Sequence, residues 1–114
     1  MPKQTTPPET LFLALGDPTR LAVVTRLCQG PGSVSELHAP FSMAMPSFLQ
    51  HLGVLEASGW ILTTKSGRVR TCSLNPQALK DAGSWLEKQR GLWERRMDQF
   101  DAYVLKLKAE GKQP

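Results

Sequence analysis

Long apolar runs are missing from this chain of 114 residues. Nothing in it approaches the roughly 18 consecutive apolar residues that a membrane-spanning helix needs. The opening residues, Met1-Pro2-Lys3-Gln4-Thr5-Thr6-Pro7-Pro8, hold no apolar segment of the signal-peptide kind, so a cytoplasmic protein without membrane contact is expected. Cysteine is scarce: Cys28 and Cys72 stand far apart, which excludes a disulfide framework and leaves two free thiols as the expectation. Histidine is as scarce, with His38 and His51 alone, and a transition-metal site normally needs three or four N or S ligands at suitable spacing. No paired carboxylates, nucleophile–base pair or Gly-rich phosphate loop can be discerned. Neither catalysis nor a bound cofactor is therefore expected.

What the chain does have is enough apolar sequence for one modest core, at 40% hydrophobic residues, and a net charge of +4 that favours an anionic partner. The distribution of charge is more telling than its sum. Residues 1–59 carry three Lys or Arg against four Asp or Glu, and residues 76–114 carry eight against six. Between them, residues 60–75 carry Lys65, Arg68 and Arg70 and no acid. The positive charge is focused mid-chain.

Residues 1–8 read as a mobile tail, 9–110 as a single domain and 111–114 as a second tail. Leu11 to Leu15 form a short apolar helix, closed by Gly16 where a left-handed residue is wanted. Asp17-Pro18 restarts the chain as N-cap and first helical residue. Leu21, Val24 and Leu27, with Val23 alongside, give a second helix that ends before Gly30-Pro31-Gly32. Ser33-Val34-Ser35-Glu36 is a capping box opening a short helix to about Ala39, which Pro40 stops. A turn leads into a helix from about Met45 to Ser58, with Phe48, Leu52 and Leu55 as its buried stripe and Gly59 as its end. Trp60–Thr64 and Val69–Leu74 favour strands, with Ser66-Gly67 as the hairpin turn. Asn75-Pro76 then caps the longest helix, over 76–109. Its apolar positions Leu79, Ala82, Leu86, Trp93, Met97, Phe100, Val104 and Leu107 recur by threes, fours and one seven, a near-heptad seam. Trp85, Leu92 and Tyr103 widen that face beyond what a monomer covers. The near-facial spacing of Trp85 and Trp93 points to core or dimer packing rather than to a ligand pocket.

The fold expected is mostly α with a small β-hairpin (α+β): a winged helix-turn-helix, with 33–58 as the helix-turn-helix and 60–74 as the wing. A helix about 10–12 Å across fits the B-DNA major groove, and a preceding helix must hold it there. The plainer alternative is a winged-helix protein-interaction module whose apolar face of Met45, Phe48 and Leu49 docks a protein.

The residues themselves carry a resemblance. Asp17-Pro18-Thr19-Arg20, Val34-Ser35-Glu36-Leu37, His51 through Gly59, Gly67-Arg68 and Leu74-Asn75-Pro76 stand in the order and spacing of the ArsR family of bacterial repressors. The likeness covers roughly residues 10–105. It implies a homodimer joined through the first and last helices, Leu11, Leu79, Leu86, Trp93, Met97, Phe100 and Val104 among the contacts, that binds a palindromic double-stranded DNA operator. It also implies DNA contacts from Met45, Pro46, Ser47, Leu49, Gln50 and His51 of the recognition helix and from Lys65, Arg68 and Arg70 of the wing.

Two departures matter. The family's metal-sensing sites use a Cys-x-Cys in the supporting helix or Asp and His along the last helix. Here the supporting helix has no cysteine and the last has no histidine, so no metal is expected and the inducer is an unidentified small molecule or protein. Cys28 and Cys72 form a candidate redox pair, although the family's redox sensors place cysteines in the second and last helices; both are otherwise expected to be small core residues. The recognition helix also starts at Ala44 where the family has a Ser or Thr cap, with Ser42 a nearby substitute, and it lacks the usual basic residues.

Overall fold

The computed structural model describes residues 6–111. Most of both expected tails, residues 1–5 and 112–114, lies outside the described residues, while Pro8 already opens the first helix and Gly111 belongs to a turn. The elements run α1 (Pro8–Leu15), α2 (Pro18–Leu27), β1 (Gly32–Ser33), α3 (Val34–His38), α4 (Met45–Ala57), β2 (Ile61–Ser66), β3 (Val69–Leu74) and α5 (Pro76–Ala109). The chain divides after Ala82 into two compact units.

In the first unit the helix starts are written in side chains. Asp17 Oδ2 accepts from the backbone amides of Thr19 at 2.8 Å and Arg20 at 3.1 Å, satisfying two donors that α2 leaves open. Both bonds of the Ser33–Glu36 capping box form: the Glu36 amide donates to Ser33 Oγ at 3.1 Å and the Ser33 amide to Glu36 Oε1 at 2.9 Å. Asn75 Oδ1 accepts from the Gln77 amide at 3.1 Å, and its Nδ2 donates to the Gly59 carbonyl at 2.8 Å, tying the start of α5 to the end of α4. That end is a Schellman closure. The Trp60 amide donates to the Leu55 carbonyl, the Gly59 amide donates to the Glu56 carbonyl, and Gly59 has φ +89°. That dihedral demands glycine, and a Cβ there would also have to displace the Thr6 hydroxyl, 2.9 Å away.

Three local expectations are corrected. Gly16 is not left-handed: its φ is −73°, and α1 closes instead with the Gly16 amide donating to the Leu13 carbonyl. The hairpin turn is Gly67-Arg68 rather than Ser66-Gly67, because Ser66 still pairs with Val69; Gly67 takes the positive φ of +62° that the first position of such a turn requires. The sheet has three strands, in the order β1-β3-β2, since Gly32 and Ser33 pair antiparallel with Cys72 and Thr71.

The core of this unit gathers Leu11 and Ala14 of α1, Val23, Val24 and Leu27 of α2, Leu37, the expected stripe Phe48, Leu52 and Leu55, and the sheet residues Ile61 and Cys72. Leu21 is exposed. Ala78 and Ala82 bring α5 to this core; their small side chains at four-residue spacing permit close approach. Trp60, 1% exposed, is the central joint: its indole Nε1 donates to the Leu11 carbonyl at 2.8 Å, and its own carbonyl accepts from the Asn75 amide. Leu11 is therefore corrected as a dimer contact. It is 0% exposed inside its own chain and has no side-chain surface for a partner, whereas Leu13 of the same helix is exposed.

Beyond Ala82 the second unit is the remainder of α5. Arg90 pairs with Glu87 and Glu94, one turn away on either side, which staples the exposed polar flank. Leu86, Trp93, Met97 and Phe100 are exposed along this helix, and Val104 is half-buried.

Candidate nucleic-acid interface

The helix-turn-helix is braced from within. His38 Nε2 lies 2.7 Å from the Met43 carbonyl; a carbonyl only accepts, so the ring donates and pins the connection to α4. The same ring lies 5.2 Å from that of Phe48, which also meets Phe41 at 5.4 Å. Phe48 is thus the buried bolt between the two helices.

The start of α4 is bare by comparison. Ala44 is the N-cap, and no side chain bonds the first-turn amides, so Ser42 does not replace the missing cap. Pro46, in that first turn, has no N–H and so removes one of the donors a cap would have to satisfy. Pro46, Ser47, Leu49 and Gln50 are exposed on α4, while Met45 is half-buried against the core.

The wing is organised by its register. Ile61 faces Leu74, Thr63 faces Cys72 and Lys65 faces Arg70, and strand alternation puts these three pairs on one face. That face begins in the core and ends in cations. At its outer end a cleft of about 450 Å³ opens between wing, α3 and α4. It brings together Met45, Leu49, Lys65, Arg68 and Arg70 of the expected contacts and adds Ser33 and Ser35. Pro46, Ser47, Gln50 and His51 do not line it.

Two residues change the electrostatics read from the chain alone. Glu56 of α4 accepts from the Thr63 hydroxyl and lies 3.7 Å from Arg70, so the acid-free segment meets an acid through space. Nothing in sequence flags this pair; the packing of α4 against β2, where Thr63 meets Glu56, brings it about. His51, expected as a phosphate contact, is turned inward: its Nδ1 lies 3.2 Å from Arg20 Nη1 and 3.6 Å from Asp17 Oδ2. That ring nitrogen is committed to α2 and is unavailable to a phosphate.

The cysteines part company. Cys72 is buried, and desolvation pushes its thiol above the ordinary range despite the opposing effect of Arg70. Cys28 is exposed at the end of α2, which corrects its assignment to the core. Among the described residues no group of three or more His, Cys, Asp or Glu is placed to hold a metal ion, and no helix is long and apolar enough to cross a membrane.

Known proteins share this arrangement. A helix-turn-helix domain family matches residues 15–62, which span α2 through the start of β2. The HTH-type transcriptional regulator Rv2034 of Mycobacterium tuberculosis is 31% identical over 104 residues, covering 91% of this chain and 92% of its own. The transcriptional repressor SdpR of Bacillus subtilis is 29% identical over 67% of this chain and 84% of its own. An ArsR family transcriptional regulator of known crystal structure superposes with a TM-score of 0.72 at 52% identity, covering 75% of this chain and 94% of that one. That family comprises transcriptional regulators rather than enzymes. With its helix order, three-stranded wing sheet and relatives all in agreement, the chain belongs to the ArsR family of winged helix-turn-helix transcriptional regulators.

Proposed function

We propose that the protein is a cytoplasmic, sequence-specific DNA-binding repressor that acts as a homodimer on a palindromic operator. The observation that carries this reading is the wing. Lys65 and Arg70 are direct cross-strand partners, with Arg68 in the adjoining turn. Like charges facing each other across a sheet are destabilising, and Glu56 offsets Arg70 alone. A row of phosphates turns that repulsion into attraction.

Beside the wing, Met45 and Leu49 are suited to thymine methyl groups, and Gln50 to a bidentate pair with adenine. Pro46 and Ser47 complete the exposed tip of α4. Leu79, Leu86, Trp93, Met97, Phe100 and Val104 supply the dimer seam, with half-sites about 34–36 Å apart, one turn of the duplex. The sequence has neither the family's cysteine pair in α3 nor a histidine in α5, which leaves release by a small molecule, release by a protein, or simple autorepression as the readings.

Electrophoretic mobility shifts on the DNA upstream of its own gene, across a salt series, test this reading. Retardation is expected at low salt and fades steeply as salt rises. Lys65→Ala and Arg68→Ala each remove two phosphate contacts per homodimer, flatten the log–log salt slope by about 1.8 and weaken binding to every sequence. Gln50→Ala relaxes preference at one base pair and leaves the slope unchanged. A second reading, a protein-docking module, is favoured by one observation: α4 carries no Lys or Arg and shows Leu49 to solvent. Absence of retardation at low salt selects it.

A further inference from the structure

Arg20 and His51 lie in separate elements, Arg20 in the first turn of α2 and His51 in mid-α4, and neither belongs to the apolar core or to the cleft beside the wing. Arg20 Nε donates to the Ala14 carbonyl at 2.6 Å, and its Nη1 lies 3.2 Å from His51 Nδ1. Asp17, whose Oδ2 caps α2 by accepting from the Thr19 and Arg20 amides, stands 3.6 Å from the same ring nitrogen. One guanidinium thus spans the end of α1, the first turn of α2 and the middle of α4.

A guanidinium has five N–H donors and no acceptor, so the nitrogen facing it must accept. In the neutral ring Nδ1 is then bare and Nε2 carries the proton. The opposite tautomer sets an N–H against the Arg20 N–H and turns it toward Asp17 Oδ2 at 3.6 Å, so Arg20 and Asp17 pull the ring toward different tautomers and the shorter Arg20 contact favours the bare Nδ1.

We propose that Arg20 is a positioning residue that latches the recognition helix to α1 and α2 by holding His51 as its Nε2–H tautomer. The apolar stripe of Phe48, Leu52 and Leu55 fixes which face of α4 is buried, but hydrophobic contact is non-directional and tolerates small rotations. The Arg20–His51 bond is directional. It sets the helix roll at the residue next to Gln50, and a rotation of the helix about its axis carries the exposed side chains of Ser47, Leu49 and Gln50 with it. The functional consequence, though not the latch itself, rests on the DNA-binding reading above.

Two measurements test it. Nitrogen-15 NMR of the histidine rings in the DNA-free protein is expected to show bare Nδ1 and protonated Nε2 at His51, and a tautomer mixture in Arg20→Met. In operator binding, His51→Asn keeps an acceptor oxygen at the Nδ1 position and retains affinity close to the parent's. His51→Gln carries its amide at the Nε2 position, and it and Arg20→Met each weaken binding about tenfold, as for a lost charge-assisted hydrogen bond. Melting curves keep all variants folded at the assay temperature. A protonated Nδ1 in the parent, or a His51→Asn variant as weak as His51→Gln, overturns the latch. If the parent binds no DNA, the repressor reading fails, and the ring signature with its loss in Arg20→Met still decides the latch.

Discussion

The two compact units treat apolar surface in opposite ways. Up to Ala82, Leu11, Phe48, Leu52, Leu55, Trp60 and Ile61 are almost wholly withdrawn from solvent. Beyond Ala82, the helix exposes Trp85, Leu86, Leu92, Trp93, Met97, Phe100 and Tyr103. The first unit builds a buried core from its own chain, although Leu13, Leu62 and Val69 stay exposed on it. The second is a segment of one helix that forms no buried core among the described residues, which is the exposure the proposed dimer would cover. What the difference teaches is that the same residue types build a core in one unit and stay at the surface in the other, where the proposed dimer would use them.

The sharpest way to break this comparison is one deletion made on each side. Trp60→Ala removes the joint between α1, α4 and α5 and is expected to cost about 3–5 kcal/mol of unfolding free energy. Trp93→Ala, with its side chain 64% exposed, is expected to leave the stability of the dilute chain nearly unchanged while weakening self-association. Melting curves over a range of protein concentrations separate the two, because only an associating fold has a concentration-dependent midpoint. Equal losses for the two variants at the lowest concentration erase the distinction.

Within the first unit the contrast recurs on a smaller scale, between α3 with both capping-box bonds and α4 with none. Ser33→Ala is expected to destabilise by about 1 kcal/mol, and Ala44→Ser to stabilise by up to about 1 kcal/mol. Chemical denaturation of the pair reads both signs. An Ala44→Ser variant no more stable than its parent means that Pro46 already suffices.

The features legible in the sequence are those whose physics is local. Asp17-Pro18, the Ser33–Glu36 box, Gly59 and Asn75-Pro76 announce helix boundaries because cap and capped amide lie within a few residues of each other. The period of Phe48, Leu52 and Leu55 marks the buried stripe of α4 for the same reason. What was not legible depends on distant partners. Strand β1 is only two residues long and exists because β3 offers it an edge. Glu56 reaches Arg70 only because α4 packs against the sheet, and His51 turns toward Arg20 across 31 positions. Leu11 matched an interface pattern and is instead consumed by the core, where Trp60 reaches its carbonyl. Of the DNA-facing set, the wing was readable as charge, while the spatial grouping of Met45 and Leu49 with those cations needed the fold.

The smallest expected effect concerns the caps in acid. The Ser33 amide, and then its hydroxyl, hold the Glu36 carboxyl below its ordinary value of 4.5. The Arg20 amide is the chief cause holding Asp17 below 3.8. A carboxyl depressed by folding stabilises fully above its ordinary value, and that contribution is lost as pH falls through the lower folded-state value. A Glu36→Gln variant is therefore expected to melt below the parent at pH 7, with the gap closing toward pH 3. A gap constant over that range means that the carboxylate charge is irrelevant to the cap.

Trp60 sits in an apolar interior with its N–H bonded to a carbonyl, while Trp85 and Trp93 face solvent on the last helix. The three indoles therefore differ optically. An aqueous quencher such as iodide reaches the two on α5 and spares Trp60, so residual emission follows the integrity of the first unit and quenchable emission follows the covering of the second. The chain carries a separate native reporter for each of its two units, with no label required.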